Sequence, residues 1–362
     1  MFSSLKPVRF LGLMLAMGAL TTAALGQADS WVQAAPDSHP AVSDSSAPQA
    51  PQLEVLSYDE SGIRLTVDLP GVALLPSKTK VGAFVTVTWP DAAVAGEVGM
   101  PALPVIRRLF IVQPDASVAV NATLGAAEVI DLATVGAALP VIPRQAPIPK
   151  IEGAIESAPF NFDPAAYAVD ADYLTEPAIL TELGVARGQR LFLLEVHPVT
   201  YNPATQTLTL RSKMDVTIQF TGGSEPFSRM NPLPGLERIV LNPDHSAPTT
   251  RGSGNYLIIT PTAFESQIAS FATHKAAKGF TVNTYVATSS NATTIKNYIQ
   301  SLWGGPDAPD YILLVGDTQH IGYWVGGGDG SPDTDLPYTC MDGASDWLPD
   351  IAIGRFPADD AG

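Results

Sequence analysis

Cysteine and basic residues are scarce in this sequence of 362 residues. Cys340 is the single cysteine, so an exported form of the chain would have no internal disulfide and would depend on its core or on bound ions for stability. Lysine and arginine together number 20 against 36 aspartates and glutamates, which gives a net charge of −16. This balance argues against a nucleic-acid-binding protein, since such a protein needs basic surface to displace phosphate counterions.

Charged residues of either sign are also few, at 15% of the sequence, whereas hydrophobic residues make up 46%. A sizeable core can therefore form, and the composition is not that of a disordered protein. An acidic surface is compatible with a secreted protein or with one that collects divalent cations. The length is enough for two ordinary domains, at roughly 100–200 residues each.

Residues 1–26 have the pattern of a secretory signal peptide. Lys6 and Arg9 precede an apolar run over residues 10–25, and the small residue Gly26 marks a cleavage site. The run is shorter than the ~20 residues that a membrane-spanning helix needs, which favours cleavage over an uncleaved anchor. We therefore expect a secreted protein, free or associated with the cell surface, that has no membrane span after signal removal.

The next two segments differ in composition. Residues 27–52 are rich in Ala, Pro, Ser and Asp with little periodicity, which predicts a disordered linker. Residues 53–223 contain many short alternating runs separated by polar turns, such as the turn at residues 59–62 and the NPATQ turn at residues 202–206. Short strands with few convincing helices favour an antiparallel β-sandwich or barrel.

The predicted fold class changes from β to α/β in the second half of the chain. Residues 224–253 are punctuated by proline and glycine, which predicts an exposed connector where proteases cut most easily. Residues 254–362 then read as strand, helix, strand, helix and strand, which is the order of an α/β domain with a parallel sheet. The two helices are predicted from apolar residues at helical spacing around Ile268 and Ile299.

Acidic residues follow the third of these strands. The apolar run YILLV delivers Gly316 and Asp317 to the carboxyl end of the sheet, where ligands of open α/β sheets collect. Asp333 and Asp335 follow in a turn-rich loop of the kind that suits calcium, although the pattern is not an EF-hand. Capping of a turn by Asp317 and a solvated acidic loop are the alternatives. The glycine run before Asp333 lacks the G-K-[ST] of a phosphate cradle, which excludes a nucleotide site.

Cys340 does not have the surroundings of a nucleophile in the sequence. The nearest histidine is His320, twenty residues earlier, and a catalytic cysteine needs a base to form the thiolate. Alternation through Tyr338 and Cys340 instead suggests a strand or strand edge, where cysteine packs as a small apolar residue.

Several blocks resemble a known family in their order along the chain. YLIITPTAF, HKAAKGFTV, TIKNYIQSLW, DYILLVGD, PDTDLPY and DWLPDIAIGRF resemble the start of the gingipain-type cysteine peptidase domain, family C25. The upstream segments GMPALPVIRRLFIVQPDASVAV and FLLEVHPVTYNPATQTLTLRSKMDVTIQF resemble that family's propeptide. The resemblance covers roughly residues 53–362.

This resemblance implies a secreted zymogen, in which a β-sandwich prodomain contacts the catalytic domain in cis and keeps it latent. The fold class would then be a β-sandwich prodomain followed by an incomplete α/β domain, caspase-like and mainly parallel. The family's catalytic histidine and cysteine lie beyond the block at residues 353–356, so neither has a counterpart here, and we expect this chain itself to be inactive. The family also binds calcium, which implies a metal-ligand role for Asp317 and leaves Asp333 and Asp335 as further candidates.

Two functions follow as hypotheses. The first is the amino-terminal portion of a cysteine endopeptidase zymogen that acts on proteins or peptides and is activated by a cut in the connector at Arg238 or Arg251. The second is a non-enzymatic secreted β-sandwich module with binding or inhibitory behaviour. The sequence does not choose between the two arginines.

Overall fold

The computed structural model describes residues 30–34, 42–43, 48–149, 152–223, 233–243, 253–327 and 331–360. The predicted signal peptide with its site at Gly26 lies outside these ranges, as does Arg251. Across the ranges described, no helix combines the length and the apolar character needed to cross a membrane.

Among the described residues up to 223, the regular elements are antiparallel strands, apart from a 3₁₀ turn and one short α-helix, α1 (Ala154–Ser157). The strands are β1 (Ser30–Gln33), β2 (Val42–Ser43), β3 (Gln52–Asp59), β4 (Gly62–Asp68), β5 (Gly71–Lys78), β6 (Ala83–Thr88), β7 (Ala93–Ala95), β8 (Leu103–Val112), β9 (Ser117–Leu124), β10 (Ala127–Asp131), β11 (Ala178–Ala186), β12 (Gln189–Val196), β13 (Val199–Asn202), β14 (Thr207–Arg211) and β15 (Lys213–Thr221).

These strands form four sheets, with the orders β2-β1-β5-β6, β10-β14-β13, β11-β12-β8-β7 and β3-β4-β15-β9. One continuous apolar cluster joins the sheets and includes the fully buried Phe110, Tyr201 and Ile218. The alternating burial of β15, in which every second residue is buried, shows one strand face on this core and the other toward solvent. The prediction of a β-rich first domain is confirmed at this level, and we refer to it below as the β domain.

The start of the β domain differs from the prediction. Residues 30–33, predicted as part of a disordered linker, form β1, which pairs antiparallel with β5. Trp31 is 3% exposed and Val32 is fully buried. The linker prediction is wrong at these residues because two large apolar side chains in a polar segment were enough to add a strand to the sheet.

A second difference lies between β12 and β13. The sequence predicts three strands over residues 189–220, and the structure has four. His197 and Pro198 separate β12 from β13, because proline has no backbone N–H to donate to a sheet ladder. The predicted NPATQ turn connects β13 to β14, as expected.

The α/β part contains β16 (Asn255–Pro261), α2 (Glu265–Ala277), β17 (Thr281–Ala287), α3 (Ala292–Leu302), β18 (Tyr311–Val315), the two-stranded ribbon β19 (Trp324–Val325) and β20 (Asp333–Thr334), and β21 (Ala352–Phe356). The four longer strands form a parallel sheet in the order β17-β16-β18-β21. The predicted α/β class and both predicted helices are confirmed.

The two helices cover opposite faces of this sheet. Ile268 of α2 packs with Ile258 on one face, and Ile295 of α3 packs with Leu257 on the other. The chain moves from β16 to one neighbour through α2 and then to the opposite neighbour through α3, so right-handed crossovers place the helices on different sides. The carboxyl ends of the strands therefore meet along one edge and their amino ends along the opposite edge.

Candidate functional site

The carboxyl edge of the parallel sheet carries the acidic loop that the sequence singles out. Strand β18 is buried from Ile312 to Val315 and leads into Gly316, which has a φ of +109°. A Cβ atom at this position would lie 2.7 Å from the Cβ atom of His320 and 3.2 Å from the Phe264 ring. Glycine is therefore required for the sharp exit of the chain, and Asp317 emerges at the edge as predicted.

Asp317 is held by its own loop. One of its carboxylate oxygens accepts a hydrogen bond from the backbone N–H of Gln319 at 3.0 Å, which is the turn-capping geometry left open as an alternative. A hydrogen bond between the carboxyl groups of Asp317 and Asp359 lowers the pKa of Asp317 and raises the pKa of Asp359. The pKa of Asp317 is thus the lower of the two.

Asp335 forms a bidentate ion pair with Arg355. The guanidinium donates from Nε to Oδ2 at 2.9 Å and from Nη2 to Oδ1 at 2.6 Å. The same guanidinium also donates to the carbonyl oxygens of Gly316 at 3.0 Å and Ile321 at 2.9 Å. Arg355 therefore ties strand β21 to both loops at the carboxyl edge.

The three aspartates predicted to bind a metal do not form one donor set in this structure. Both oxygens of Asp335 are occupied by Arg355, and Asp333 is exposed on the ribbon. Among the residues described, the cluster whose carboxylate oxygens all lie within 4.8 Å of one another is instead Asp342, Asp346 and Asp350. Asp350 of this cluster also contacts Arg187, as described below. Calcium binding by Asp317, Asp333 and Asp335 stays a prediction, which the Arg355 contacts of Asp335 do not favour.

Cys340 is buried, as expected for a packing role, but it does not lie on a strand. It follows a single 3₁₀ turn at Leu336–Tyr338, and its Sγ lies 3.5 Å from the carbonyl oxygen of Leu336. Burial and the nearby carboxylate of Asp346 raise the pKa of the Cys340 thiol. A raised thiol pKa disfavours the thiolate that nucleophilic catalysis requires.

The predicted cleavage residue Arg238 lies on the β domain. Its side chain is 83% exposed, yet its backbone belongs to a hydrogen-bonded 3₁₀ turn, Leu236–Arg238. Four residues further on, the fully buried side chain of Asn242 exchanges two hydrogen bonds with the backbone of Ile111 in β8, at 2.9 and 2.8 Å. The described part of the predicted connector is thus packed, and the choice between Arg238 and Arg251 stays a prediction.

The amino edge of the parallel sheet holds an ionic contact that the sequence does not suggest. Arg187, at the tip of the hairpin β11–β12, inserts into the α/β part and is 2% exposed. Its Nη2 atom donates to Oδ1 of Asp310 at 2.5 Å, and its backbone N–H donates to the carboxylate of Asp350. Its Nη1 atom donates to the carbonyl oxygens of Pro309 at 2.8 Å and Asp350 at 3.0 Å. The guanidinium also lies 5.3 Å from the centre of the Trp303 ring.

Both aspartates of this contact are oriented by the α/β part itself. The second oxygen of Asp310 accepts the N–H of Asn255 at 2.7 Å, and the second oxygen of Asp350 accepts the N–H of Met341 at 2.7 Å. Burial raises the pKa of Asp350 to about 6, and the hydrogen bonds from the backbone N–H groups of Arg187 and Met341 act in the opposite direction. Burial also lowers the pKa of Arg187, against the effect of its two carboxylates, but arginine remains charged at any ordinary pH.

An apolar contact accompanies this ionic one. Leu348 of the α/β part packs against a cluster on the β domain that includes Ile111, Ala186 and Leu236. A Cβ atom on Gly184 of the hairpin would lie 3.2 Å from a methyl group of Leu348. The two parts of the chain therefore share a built interface that combines a buried ion pair with an apolar patch.

Family comparisons are consistent with this arrangement. Residues 44–233 match the family model Propeptide_C25, and residues 249–362 match the model of peptidase family C25. Lys-gingipain HG66 of Porphyromonas gingivalis is 27% identical over 307 residues, which cover 79% of this chain and 17% of the relative. Gingipain R2 of P. gingivalis strain ATCC BAA-308 / W83 is 24% identical over 323 residues, covering 84% of this chain and 42% of the relative. The chain thus spans less than half of either curated relative.

Solved structures show a partial likeness. One, on the zymogenic latency of gingipain K from P. gingivalis, has 27% identity and a TM-score of 0.44 over 49% of this chain and 96% of its own. Another, a complex of the pro- and mature domains of RgpB from P. gingivalis, has 20% identity and a TM-score of 0.46 over 54% of this chain and 100% of its own.

Proposed function

Because this chain belongs to the C25 propeptide family and continues into peptidase family C25, we propose that it is the amino-terminal part of a secreted cysteine endopeptidase zymogen that acts on proteins or peptides. The β domain is the prodomain, and its four antiparallel sheets form a β-sandwich. The α/β part is the opening of a caspase-like peptidase domain.

The observation that carries the proposal is the contact of the β domain with the α/β part within one chain. Arg187 is buried against two carboxylates, and the half-buried Leu348 packs against the β domain. Independent domains joined by a linker do not need a desolvated ion pair between them, since a charge is left in the interior only where it is paired and hydrogen-bonded. A prodomain that must hold the peptidase in one arrangement does need such a contact.

The nucleophile of this zymogen is a cysteine other than Cys340. A reactive thiolate has to be stabilised by a nearby base or positive field, whereas burial raises the pKa of Cys340. By family resemblance, the reactive cysteine and histidine would follow the block at residues 353–356, with the thiolate attacking the peptide carbonyl and the histidine transferring the proton.

Export through a signal peptide cleaved after Gly26, and activation by a cut at Arg238 or Arg251, are further parts of the proposal. The packed turn around Arg238 favours Arg251, because a protease binds an extended segment and residues 236–242 would first have to leave the β domain. Structural calcium also remains part of the proposal, with Asp317 as the principal candidate ligand and Asp333 and Asp335 as further candidates.

The test is a peptidase assay on the protein together with any sequence that its reading frame encodes after residue 362. Hydrolysis of fluorogenic peptides is measured before and after limited proteolysis of the connector, for the natural protein and for Cys340→Ala. We expect activity to rise after the cut and to be unchanged by the substitution. Activity that disappears with Cys340→Ala would refute the assignment. Absence of activity, combined with inhibition of a related peptidase by the intact chain, would favour the inhibitory module.

A further inference from the structure

The hairpin β11–β12 has an unusual residue at its tip. Its two-residue turn consists of Arg187 at a φ of +53° and Gly188 at +71°, which is a turn of the I′ type. Asn, Asp or Gly normally occupies the first of these positions, because a longer side chain is strained at positive φ. Such strain persists only where surrounding contacts outweigh it, so the contacts of Arg187 must stabilise this turn.

The site that binds this arginine side chain is specific for a guanidinium group. Its acceptors are the carboxylate of Asp310 and the carbonyl oxygens of Pro309 and Asp350, and the Trp303 ring lies beside it. A planar fork of donors can reach these acceptors at once, whereas a lysine ammonium is a single point charge on a flexible stem. We refer to Asn255, Trp303, Pro309, Asp310 and Asp350 as the amino-edge socket.

The socket lies at the edge of the sheet opposite the acidic loops. Asn255 begins β16, and Asp310 and Asp350 come just before β18 and β21. Asp317 lies beyond the other end of β18, on the order of 20 Å away along an extended strand. Ligand sites of open α/β sheets lie beyond the carboxyl ends of the strands, so a side chain in the socket does not reach such a site.

We propose that the amino-edge socket is a docking site that fastens the β domain to the peptidase domain through Arg187, separately from any contact that closes the catalytic cleft. This inference rests on the proposed function only in identifying the docked part as a peptidase domain. The socket holds the two pieces together after the connector has been cut, because Asp310 and Asp350 are buried around a single guanidinium and lose their counter-ion when it is removed.

Binding of the two pieces after cleavage tests this directly. A recognition sequence for a specific protease replaces residues 246–251 in the full chain, the chain is cut to completion, and the pieces are analysed by size-exclusion chromatography and by their dissociation constant. We expect the natural pieces to elute together. Arg187→Ala is expected to raise the dissociation constant at least 100-fold, and Arg187→Lys at least tenfold.

Arg190 provides a matched control on the same hairpin. It forms an ion pair with Glu182 at 2.7 Å and donates to the carbonyl oxygen of Ala116, both within the β domain. Arg190→Ala is therefore expected to leave the dissociation constant within threefold of the natural value. Circular dichroism of each uncut variant verifies that it folds, and Asp310→Asn replaces Arg187→Ala as the probe if that variant does not.

A double-variant cycle separates the ion pair from general damage to the hairpin. If Arg187 acts through Asp310, the double variant Arg187→Met, Asp310→Asn loses less binding free energy than the two single variants lose in sum. The proposal is overturned if the natural pieces separate at micromolar concentration, if Arg187→Ala leaves the dissociation constant within threefold of the natural value, or if the cycle is additive. None of these readouts depends on peptidase activity, so a failure here is distinct from a failure of the proposed function.

Discussion

Arg355 allows the organisation of the carboxyl edge to be tested by a single change. Its guanidinium holds both oxygens of Asp335 and the carbonyl oxygens of Gly316 and Ile321. The side chains of Arg355 and Asp335 are 14% and 26% exposed. Replacement by alanine leaves a half-buried carboxylate without its partner and several carbonyl groups without a donor, and removal of one member of a buried pair costs about 3–5 kcal/mol.

We expect Arg355→Ala to lower the local stability by about 3 kcal/mol, the lower end of this range, because the Arg355 and Asp335 side chains keep some contact with water. The loss is local, so amide hydrogen exchange is the appropriate assay. At the same edge, the backbone N–H of Gly316 donates a hydrogen bond to the carbonyl oxygen of Phe356 at 2.9 Å. The protection factor of this N–H should fall on the order of 100-fold, since 1.4 kcal/mol corresponds to a factor of ten.

Asp335→Asn serves as the milder companion change, because it leaves in place the hydrogen bonds from Arg355 to the carbonyl oxygens of Gly316 and Ile321. We expect its effect on the protection of Gly316 to be clearly smaller than that of Arg355→Ala. Equal protection in the natural protein and in Arg355→Ala would refute the view that this arginine holds the loops in position.

Three further changes test other parts of the structure. Gly316→Ala should destabilise the protein by about 1–3 kcal/mol more than Gly304→Ala in urea unfolding, because both have positive φ but only the first lacks room for a Cβ atom. If β1 is a packed strand, Trp31→Ala should lower the free energy of unfolding by about 3–5 kcal/mol. Trp347→Ala, at a 71% exposed position, should change it little. Equally small effects of both changes would restore the linker interpretation. The raised pKa of Asp350 means that the folded state binds a proton more readily than the unfolded state, so its contribution to stability should grow as the pH falls from about 6 towards 4. Asp350→Asn should remove that pH dependence from thermal unfolding, and a persistent slope would assign it to other groups.

Regular periodicity made much of the fold predictable. Ile268 and Ile299 lie at helical spacing in the sequence, and both are buried where α2 and α3 cover the sheet. The run at residues 311–315 is a buried strand because a central parallel strand is covered on both faces and so lacks alternation. These features depend on local sequence and on one repeated geometry, which is why they could be recognised without a structure.

Features that depend on distant partners could not be recognised in the same way. The sequence identifies Asp335 as part of an acidic loop, but it does not show that Arg355, twenty residues later, occupies both of its oxygens. Arg187 and Asp310 are separated by 123 residues, and no local pattern links them. The weak local signal was the pair Arg187-Gly188 in a two-residue hairpin turn, where a different first residue is usual.

Peptide-bond hydrolysis before and after cleavage of the connector is the measurement that tests the central claim most directly. In the proposed zymogen, the β domain is a prodomain fastened to the beginning of a cysteine peptidase whose nucleophile is not Cys340. The account predicts that the protein with its complete downstream sequence gains activity on cleavage and keeps that activity in Cys340→Ala. Full activity in the uncut protein, or its loss in Cys340→Ala, would contradict the account.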